Sequence, residues 1–227
     1  MRDLNKLVRW LKRTPQVLVY KRLQPPVRLV AVSDSSFSAG DTQGLVMRGC
    51  VLLLVDGTGN ASPGGHVQVL DWYARKQPHV CRSTFAAELH AVLDAVNQAI
   101  VVQALLTELR HGPMTATALA DMQGVGKLSP PLHVCVDAKS VWDSVVADPT
   151  AVPADKHLFL HVRKMREWLD DGLIAKWWWI DTTDMLADGL TKGSVPRNAL
   201  LQVAGGEVWQ LRGDTALGCM PSGRSSR

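Results

Sequence analysis

Residues 27–34 read VRLVAVSD, an apolar, β-branched run that ends in a carboxylate. Pro25-Pro26 break the chain before it, and the Ser- and Gly-rich stretch 35–44 follows, so the pattern predicts a strand closed by a turn. Leu45 to Val55 is a second β-prone run, Asp56 to Gly65 (DGTGNASPGG) a turn, and Val67 to Ala74 (VQVLDWYA) a third run. Three such runs joined by short turns predict an antiparallel meander. The period then changes. From Ser83 to about Arg110, Phe85, Leu89, Val92, Val96 and Ile100 recur at helical spacing and form one buried stripe.

The remaining segments extend this pattern. His111 to Pro131 is rich in Gly and Pro and reads as a loop or insertion, partly helical near Ala116–Met122. Leu132 to Val136 is a short strand and Ala138 to Val146 a short helix. Ala154 to Asp171 is a helix stopped by Gly172. Leu173 to Ile180 is a strand holding Trp177, Trp178 and Trp179, which cannot all face one side and are expected to pack in the core and at an edge. Asp184 to Leu190 is a short helix for which Asp181 is a candidate cap. The order βββαβααβα predicts an α/β fold, with helices packed on a mixed sheet. Upstream, Leu4, Leu7, Val8 and Leu11 mark an amphipathic helix ending near Thr14-Pro15, and Val17–Tyr20 reads as a short strand. The small, polar tail from Gly213 is expected to fray.

Composition narrows the class. The 227 residues are 46% hydrophobic and 20% charged, which suits an ordinary globular chain and excludes wholesale disorder. Mean hydropathy is +0.01, and no window holds 18 consecutive apolar residues, so no membrane span is expected. The charged start is unlike a secretory signal. The four cysteines, Cys50, Cys81, Cys135 and Cys219, form no CxxC pair, which argues against a zinc knuckle and for a reducing, intracellular setting, cytoplasmic or nuclear. Residues 1–28 carry Arg2, Lys6, Arg9, Lys12, Arg13, Lys21, Arg22 and Arg28 against Asp3 alone, in a chain of net charge +4. A basic arm on a mildly acidic body fits either a polyanion partner or a solvated helix face.

Four carboxylates stand out together, although singly an Asp at a strand end is an ordinary turn former or helix cap and a Glu near a helix start favours the dipole. Asp34 ends the first strand and Asp137 the fourth; Asp188 lies in the last short helix. Glu88 lies three residues after Phe85 and four before Val92, on the buried stripe of the long helix. Burying a carboxylate against a sheet is costly unless a cation or donors meet it, and that partner is either a lysine or a metal ion shared with other carboxylates. If strands one and four are neighbours, Asp34 and Asp137 sit side by side at the strand carboxyl ends, where open sheets place their sites. Hard oxygen ligands point to Mg²⁺ or Mn²⁺. Two such ions, about 3.5–4 Å apart, suit in-line displacement at phosphorus.

The same residues carry a family resemblance. The order of segments resembles the ribonuclease H domain at the end of the Pol polyprotein of copia-type LTR retrotransposons. SDSSFSAGD (33–41) is similar to the family's SDADWAGD, WYARKQ (72–77) to WxSKKQ, and RSTFAAELHA (82–91) to LSSxEAEYxA, with Glu88 on the metal-binding carboxylate. VCVDAKSVWD (134–143) is similar to CDNxSAI. DKHLFLHVRKMREWLDDG (155–172) is similar to TKHIDIRYHFIREKVxxG, and IDTTDMLADGLTK (180–192) to VxTxxQxADxLTK, the most specific of the set. The early helix resembles the end of the reverse transcriptase connection. The likeness thus divides the chain into that connection (1–26), a ribonuclease H-like domain (27–200, with 111–131 inserted) and a tail (201–227).

What the resemblance implies is concrete. The fold would be a five-stranded mixed sheet of order 3-2-1-4-5 with flanking helices. Asp34 would bridge two metal ions. Glu88 and Asp137 would hold the one on the leaving-group side, and Asp188 the one that activates water. The activity would be metal-dependent cutting of the RNA strand of an RNA–DNA hybrid during reverse transcription, alongside the reverse transcriptase part of Pol. The alternative is a non-catalytic remnant that binds nucleic acid or protein. Recognition of ribose 2′-hydroxyls across the hybrid's minor groove makes Ser35, with Ser36 and Ser38, a candidate contact, and Lys76 and Gln77 candidate backbone contacts. Lys139 and Ser140, at a helix start, suit phosphate. His157 matches the family's KH pair and serves either product release or packing. Two departures stand out: the family's CDN is VDA at 136–138, and its Gln is Asp184, expected to add negative charge near the metals.

Overall fold

Val27–Ser36 forms the central strand, β1, and eight of its ten residues are buried. Leu29 and Ala31 face one hydrophobic cluster and Val30 and Val32 another, so the strand is covered on both sides. The computed structural model describes residues 2–13, 17–37, 46–78, 80–150, 152–212 and 216–223. Around β1 the chain forms α1 (Arg2–Arg13), β2 (Met47–Asp56), β3 (Gly65–Lys76), α2 (Thr84–His111), α3 (Ala116–Gly124), β4 (Leu132–Val136) and α4 (Lys139–Val146). Then come α5 (Phe159–Asp170), β5 (Ile174–Trp179), α6 (Asp188–Thr191), α7 (Asn198–Ala204), β6 (Val208–Trp209) and β7 (Gly218–Pro221).

The sheet is mixed and runs β6-β3-β2-β1-β4-β5-β7. The meander β1-β2-β3 is antiparallel, whereas β4 is parallel to β1 and β5 parallel to β4. The expectation of five strands is therefore corrected: seven are present among the described residues. The two additions are short edge strands. β6 pairs with Gly65 and His66 at the start of β3, and β7 pairs with Lys176–Trp179 of β5. β7 comes from the segment expected to fray. It is ordered by the free edge of β5 and by Ser222 N–H donating to Ala175 O at 2.8 Å.

One face of the sheet is covered by α2, α4 and α5, which bring Leu89, Val92, Val96, Val141, Val162, Met165 and Leu169 onto it. Residues of the α6–α7 region, among them Met185, Leu186 and Val203, cover the other. The α2 stripe is buried at Leu89, Val92 and Val96 and half-buried at Phe85 and Ile100. Ser83 caps this helix, its hydroxyl accepting from Ala86 N–H at 3.1 Å. Although α2 is long and apolar enough to cross a membrane, it is the core helix here. Trp177 and Trp178 are both fully buried, on opposite faces, as their alternation requires.

Other expectations shift in detail. Val17–Tyr20 is not a strand. It is an extended segment held by Val19 N–H to Ala204 O (2.8 Å) and Tyr20 Oη–H to Val69 O (3.0 Å). Ala154–Asp171 opens with a 3₁₀ turn, Lys156–Leu158, before α5. Asp181 caps a 3₁₀ turn, Thr182–Asp184, and the helix that follows begins only at Asp188. Arg28 is not part of a solvated basic arm. It is 1% exposed, and its guanidinium donates to the carbonyls of Asp56, Gly57 (2.7 Å), Pro63 (2.8 Å) and Gly64 (2.6 Å), fastening the β2–β3 turn. Gly59, at φ +60, lies against that guanidinium, where a Cβ would sit 2.5 Å from Nε.

Candidate metal centre

The register of β1 and β4 sets the site. Val32 is aligned with Cys135, so Asp34 and Asp137, each two residues further on, finish next to one another at the carboxyl ends of neighbouring parallel strands. Asp188 comes from the first turn of α6, which lies against β2 at Gly49. A Cβ there would meet Thr191 Cγ2 at 2.7 Å and Leu190 Cβ at 3.2 Å, so the approach depends on the absent side chain. Asp34, Asp137 and Asp188 each offer an oxygen, and these three oxygens lie within 4.8 Å of one another. Asp34 is 1% exposed, Asp188 is buried and Asp137 half-buried.

Glu88 is outside this trio but beside it. It is 9% exposed and projects from α2, on the opposite face of the sheet from α6. Its pKa is raised to about 8, by burial first and then by the charges of Asp34 and Asp137, against opposing contributions from Ser35 and Lys192. Asp34 is likewise raised to about 7, by burial first and also by Asp188 and Asp137, with the Thr191 hydroxyl and the Lys192 ammonium opposing the shift. Asp137 is raised by burial as well, with Thr182 among the groups that oppose the shift. Burial is the first cause of all three shifts, and neighbouring carboxylates add to each of them.

Two neighbours were not singled out in the sequence. Lys192 Nζ lies 2.5 Å from Asp188 Oδ1 and 3.2 Å from Asp34 Oδ1. Thr191 Oγ–H donates to the other Asp34 oxygen, Oδ2. Burial works against the Lys192 charge, but the bond to Asp188 and the charges of Asp34, Asp188 and Asp137 outweigh it and raise its pKa. The spacing of Asp188 and Lys192, i and i+4 across a helix end, was the available signal. Trp179 is a third contributor: its indole N–H donates to the Asp137 carbonyl at 3.2 Å.

The other candidates are spread around this centre. Ser35 is buried on the α2 face, and Ser38 lies outside the described residues. Lys76 is exposed at the end of β3. Gln77 is buried, its amide donating to Ala87 O at 2.7 Å and accepting from Cys81 Sγ at 2.8 Å, so it ties β3 to α2. Lys139 and Ser140 are exposed at the start of α4. The Lys139 ammonium sits 2.5 Å from Asp143 and 5.2 Å from the Trp179 ring centroid. His157 is exposed in the 3₁₀ turn capped by Asp155. Asp184 does not join the carboxylates: both its oxygens accept from Arg212 N–H, at 3.1 and 3.0 Å.

A cleft of about 560 Å³ opens between α2 and α5, lined by Arg48, His90, Asp94, His161, Lys164 and Trp168 among others. His90 and His161 meet edge to face with centroids 5.2 Å apart, and Arg48 pairs with Asp94.

No protein-family model matches the chain. Over 189 residues it is 26% identical to a retrovirus-related Pol polyprotein from transposon RE2 of Arabidopsis thaliana, an alignment covering 83% of this chain and 11% of that protein. Over 192 residues it is 23% identical to the corresponding polyprotein from transposon RE1 of the same plant, covering 85% and 11%. The chain therefore spans about a tenth of the length of the curated relatives it matches.

Proposed function

We propose that this chain is a retroelement-type ribonuclease H that hydrolyses the RNA strand of RNA–DNA hybrids, with Asp34, Glu88, Asp137 and Asp188 as its metal-binding carboxylates. The observation that carries the reading is the convergence of Asp34, Asp137 and Asp188, from two parallel strand ends and α6, with oxygens within 4.8 Å of one another. The inner strand order β3-β2-β1-β4-β5 supports the ribonuclease H-like fold, and the likeness to Pol polyproteins supports the retroelement origin.

The donor set fits hard divalent cations. All the ligands are carboxylates and they are largely buried, and burial together with neighbouring carboxylates raises the pKa values of Asp34, Glu88 and Asp137. Asp34, Asp137 and Asp188 would hold Mg²⁺ or Mn²⁺, with Glu88 completing the set from the α2 side. The chemistry such ions supply when bound is charge neutralisation at a phosphodiester and a lowered pKa for water. The chain's own part is positioning. The parallel register holds Asp34 and Asp137 side by side, Thr191 fixes the Asp34 carboxylate, and Trp179 fixes the Asp137 backbone. Lys139 at the start of α4, and Lys76 beyond β3, are exposed cations suited to phosphates flanking the cleaved bond.

The test is incubation of a hybrid labelled on each strand in turn, with Mg²⁺ or Mn²⁺. The RNA strand is expected to be cut, with duplex DNA spared and EDTA abolishing the reaction. A folded, monodisperse protein that leaves the hybrid intact under both metals would support the remnant reading instead.

A further inference from the structure

Among the described residues, Lys192 is the cation that bonds the carboxylate trio, and its placement is restrictive. Its ammonium spans Asp188 Oδ1 at 2.5 Å and Asp34 Oδ1 at 3.2 Å, and Thr191 Oγ–H occupies Asp34 Oδ2. Both oxygens of Asp34 are therefore engaged by the protein itself. The backbone at this point is fixed, because Thr191 is wedged against Gly49 and Lys192 N–H donates to Asp188 O at 2.9 Å. The side chain is not: it is 31% exposed, on a flexible four-carbon stem that can swing toward solvent.

We propose that Lys192 is a resident counter-cation that competes with the divalent ion for Asp34 and Asp188, and that an arriving nucleic-acid phosphate draws it off. This rests on the metal-site reading above. Two positive charges cannot share the same carboxylate oxygens without strong repulsion. A phosphodiester at the mouth of the site gives the ammonium a second anion. Moving there frees Asp34 Oδ1 and Asp188 Oδ1. Metal and nucleic acid then favour each other's binding, and by linkage the coupling is reciprocal. A lysine held this way keeps the empty cluster stable and ties metal loading to substrate.

The experiment measures Mn²⁺ affinity from the electron paramagnetic resonance signal of free Mn²⁺. The unmodified protein, Lys192→Met, Lys192→Arg and Asp188→Asn are compared with and without a non-cleavable hybrid of DNA and 2′-O-methyl RNA. Without nucleic acid, Lys192→Met is expected to bind Mn²⁺ about tenfold tighter or more, because a competing charge is gone. Lys192→Arg, which keeps the charge, is expected to stay near the unmodified protein. The hybrid is expected to tighten Mn²⁺ binding about fivefold or more in the unmodified protein and by less in Lys192→Met.

Melting in EDTA provides the companion readout. There Lys192→Met is expected to melt lower, since the carboxylates lose their counter-charge. A purely structural lysine would produce that drop without any gain in Mn²⁺ affinity. Unchanged or weaker Mn²⁺ binding by Lys192→Met overturns the competition. Asp188→Asn binding Mn²⁺ as well as the unmodified protein overturns the metal site itself, and the two failures are thereby distinguished. If Lys192→Met does not fold, Lys192→Gln removes the same charge and carries the same expectations.

Discussion

Asp34 accepts from Thr191 with one oxygen and faces Lys192 with the other, so its carboxylate is held rather than free to rotate. Replacing it by Asn keeps the shape and removes the charge. Asp34→Asn is expected to lower hybrid cleavage by a factor of roughly 100–1,000 or more, while hybrid affinity measured by fluorescence anisotropy changes little. Equal loss of binding and cleavage would argue against a metal-centred role. Thr191→Val is nearly isosteric but leaves a buried carboxylate one donor short, and urea unfolding should show a loss of about 1–3 kcal/mol. Glu88 is legible in the sequence because a carboxylate on a buried stripe needs a cation or donors to meet it. Lys192 was not singled out, because its role depends on where α6 lies relative to β1, which no local pattern shows. Asp184 was misplaced for the same reason: the residue that claims it, Arg212, arrives from 28 positions away.

At the scale of elements, the segments with strong periodicity are legible in the sequence. β1 to β5, α2 and α5 each carry an apolar pattern that their burial bears out. The edge strands carry none. β7 is four residues, Gly-Cys-Met-Pro, too short for an alternating pattern, and it exists because β5 offers an unpaired edge and Gly218 admits the Trp142 ring, which a Cβ would meet at 2.9 Å. Val17–Tyr20 shows the converse: a β-prone run left unpaired except through single bonds to α7 and β3. The contact of α6 with β2 is the element-level prediction. Gly49→Val would drive a side chain into Thr191 and the α6 backbone. It is expected to cost roughly 1–3 kcal/mol of stability and to weaken Mn²⁺ binding by moving Asp188. Normal metal affinity in a stable Gly49→Val protein would show that α6 does not depend on that close approach.

Across the whole molecule, the buried titrating groups combine into a pH signature. Asp34 and Glu88 have folded pKa values raised to about 7 and about 8, so the folded state binds more protons than the unfolded chain over that range, and stability falls as pH rises. His133 works in the opposite sense at lower pH. Burial, aided by Arg28 and Lys176, lowers its pKa to about 3, so its neutral form is favoured in the fold and stability is lost as pH falls below about 6.5. The two effects oppose each other below that value and separate above it. In EDTA the melting temperature is therefore expected to fall between about pH 6.5 and pH 8. Mg²⁺ at about 100 times its dissociation constant is expected to add about 2.7 kcal/mol, with the larger increment at pH 8, where more of the carboxylates are charged. A melting temperature indifferent to Mg²⁺ at both pH values would count against the cluster as a metal site.

The proposed nuclease rests on the carboxylates at the ends of β1 and β4 and the start of α6 acting as a metal-dependent centre. Its most direct test is single-turnover cleavage of an RNA–DNA hybrid by the unmodified protein and by Asp34→Asn, at matched folding and with Mg²⁺ or Mn²⁺. Cutting of the RNA strand is expected to require the metal and to fall by a factor of at least roughly 100 in the variant. Cutting by Asp34→Asn at the rate of the unmodified protein, or cutting that proceeds in EDTA, would contradict that centre.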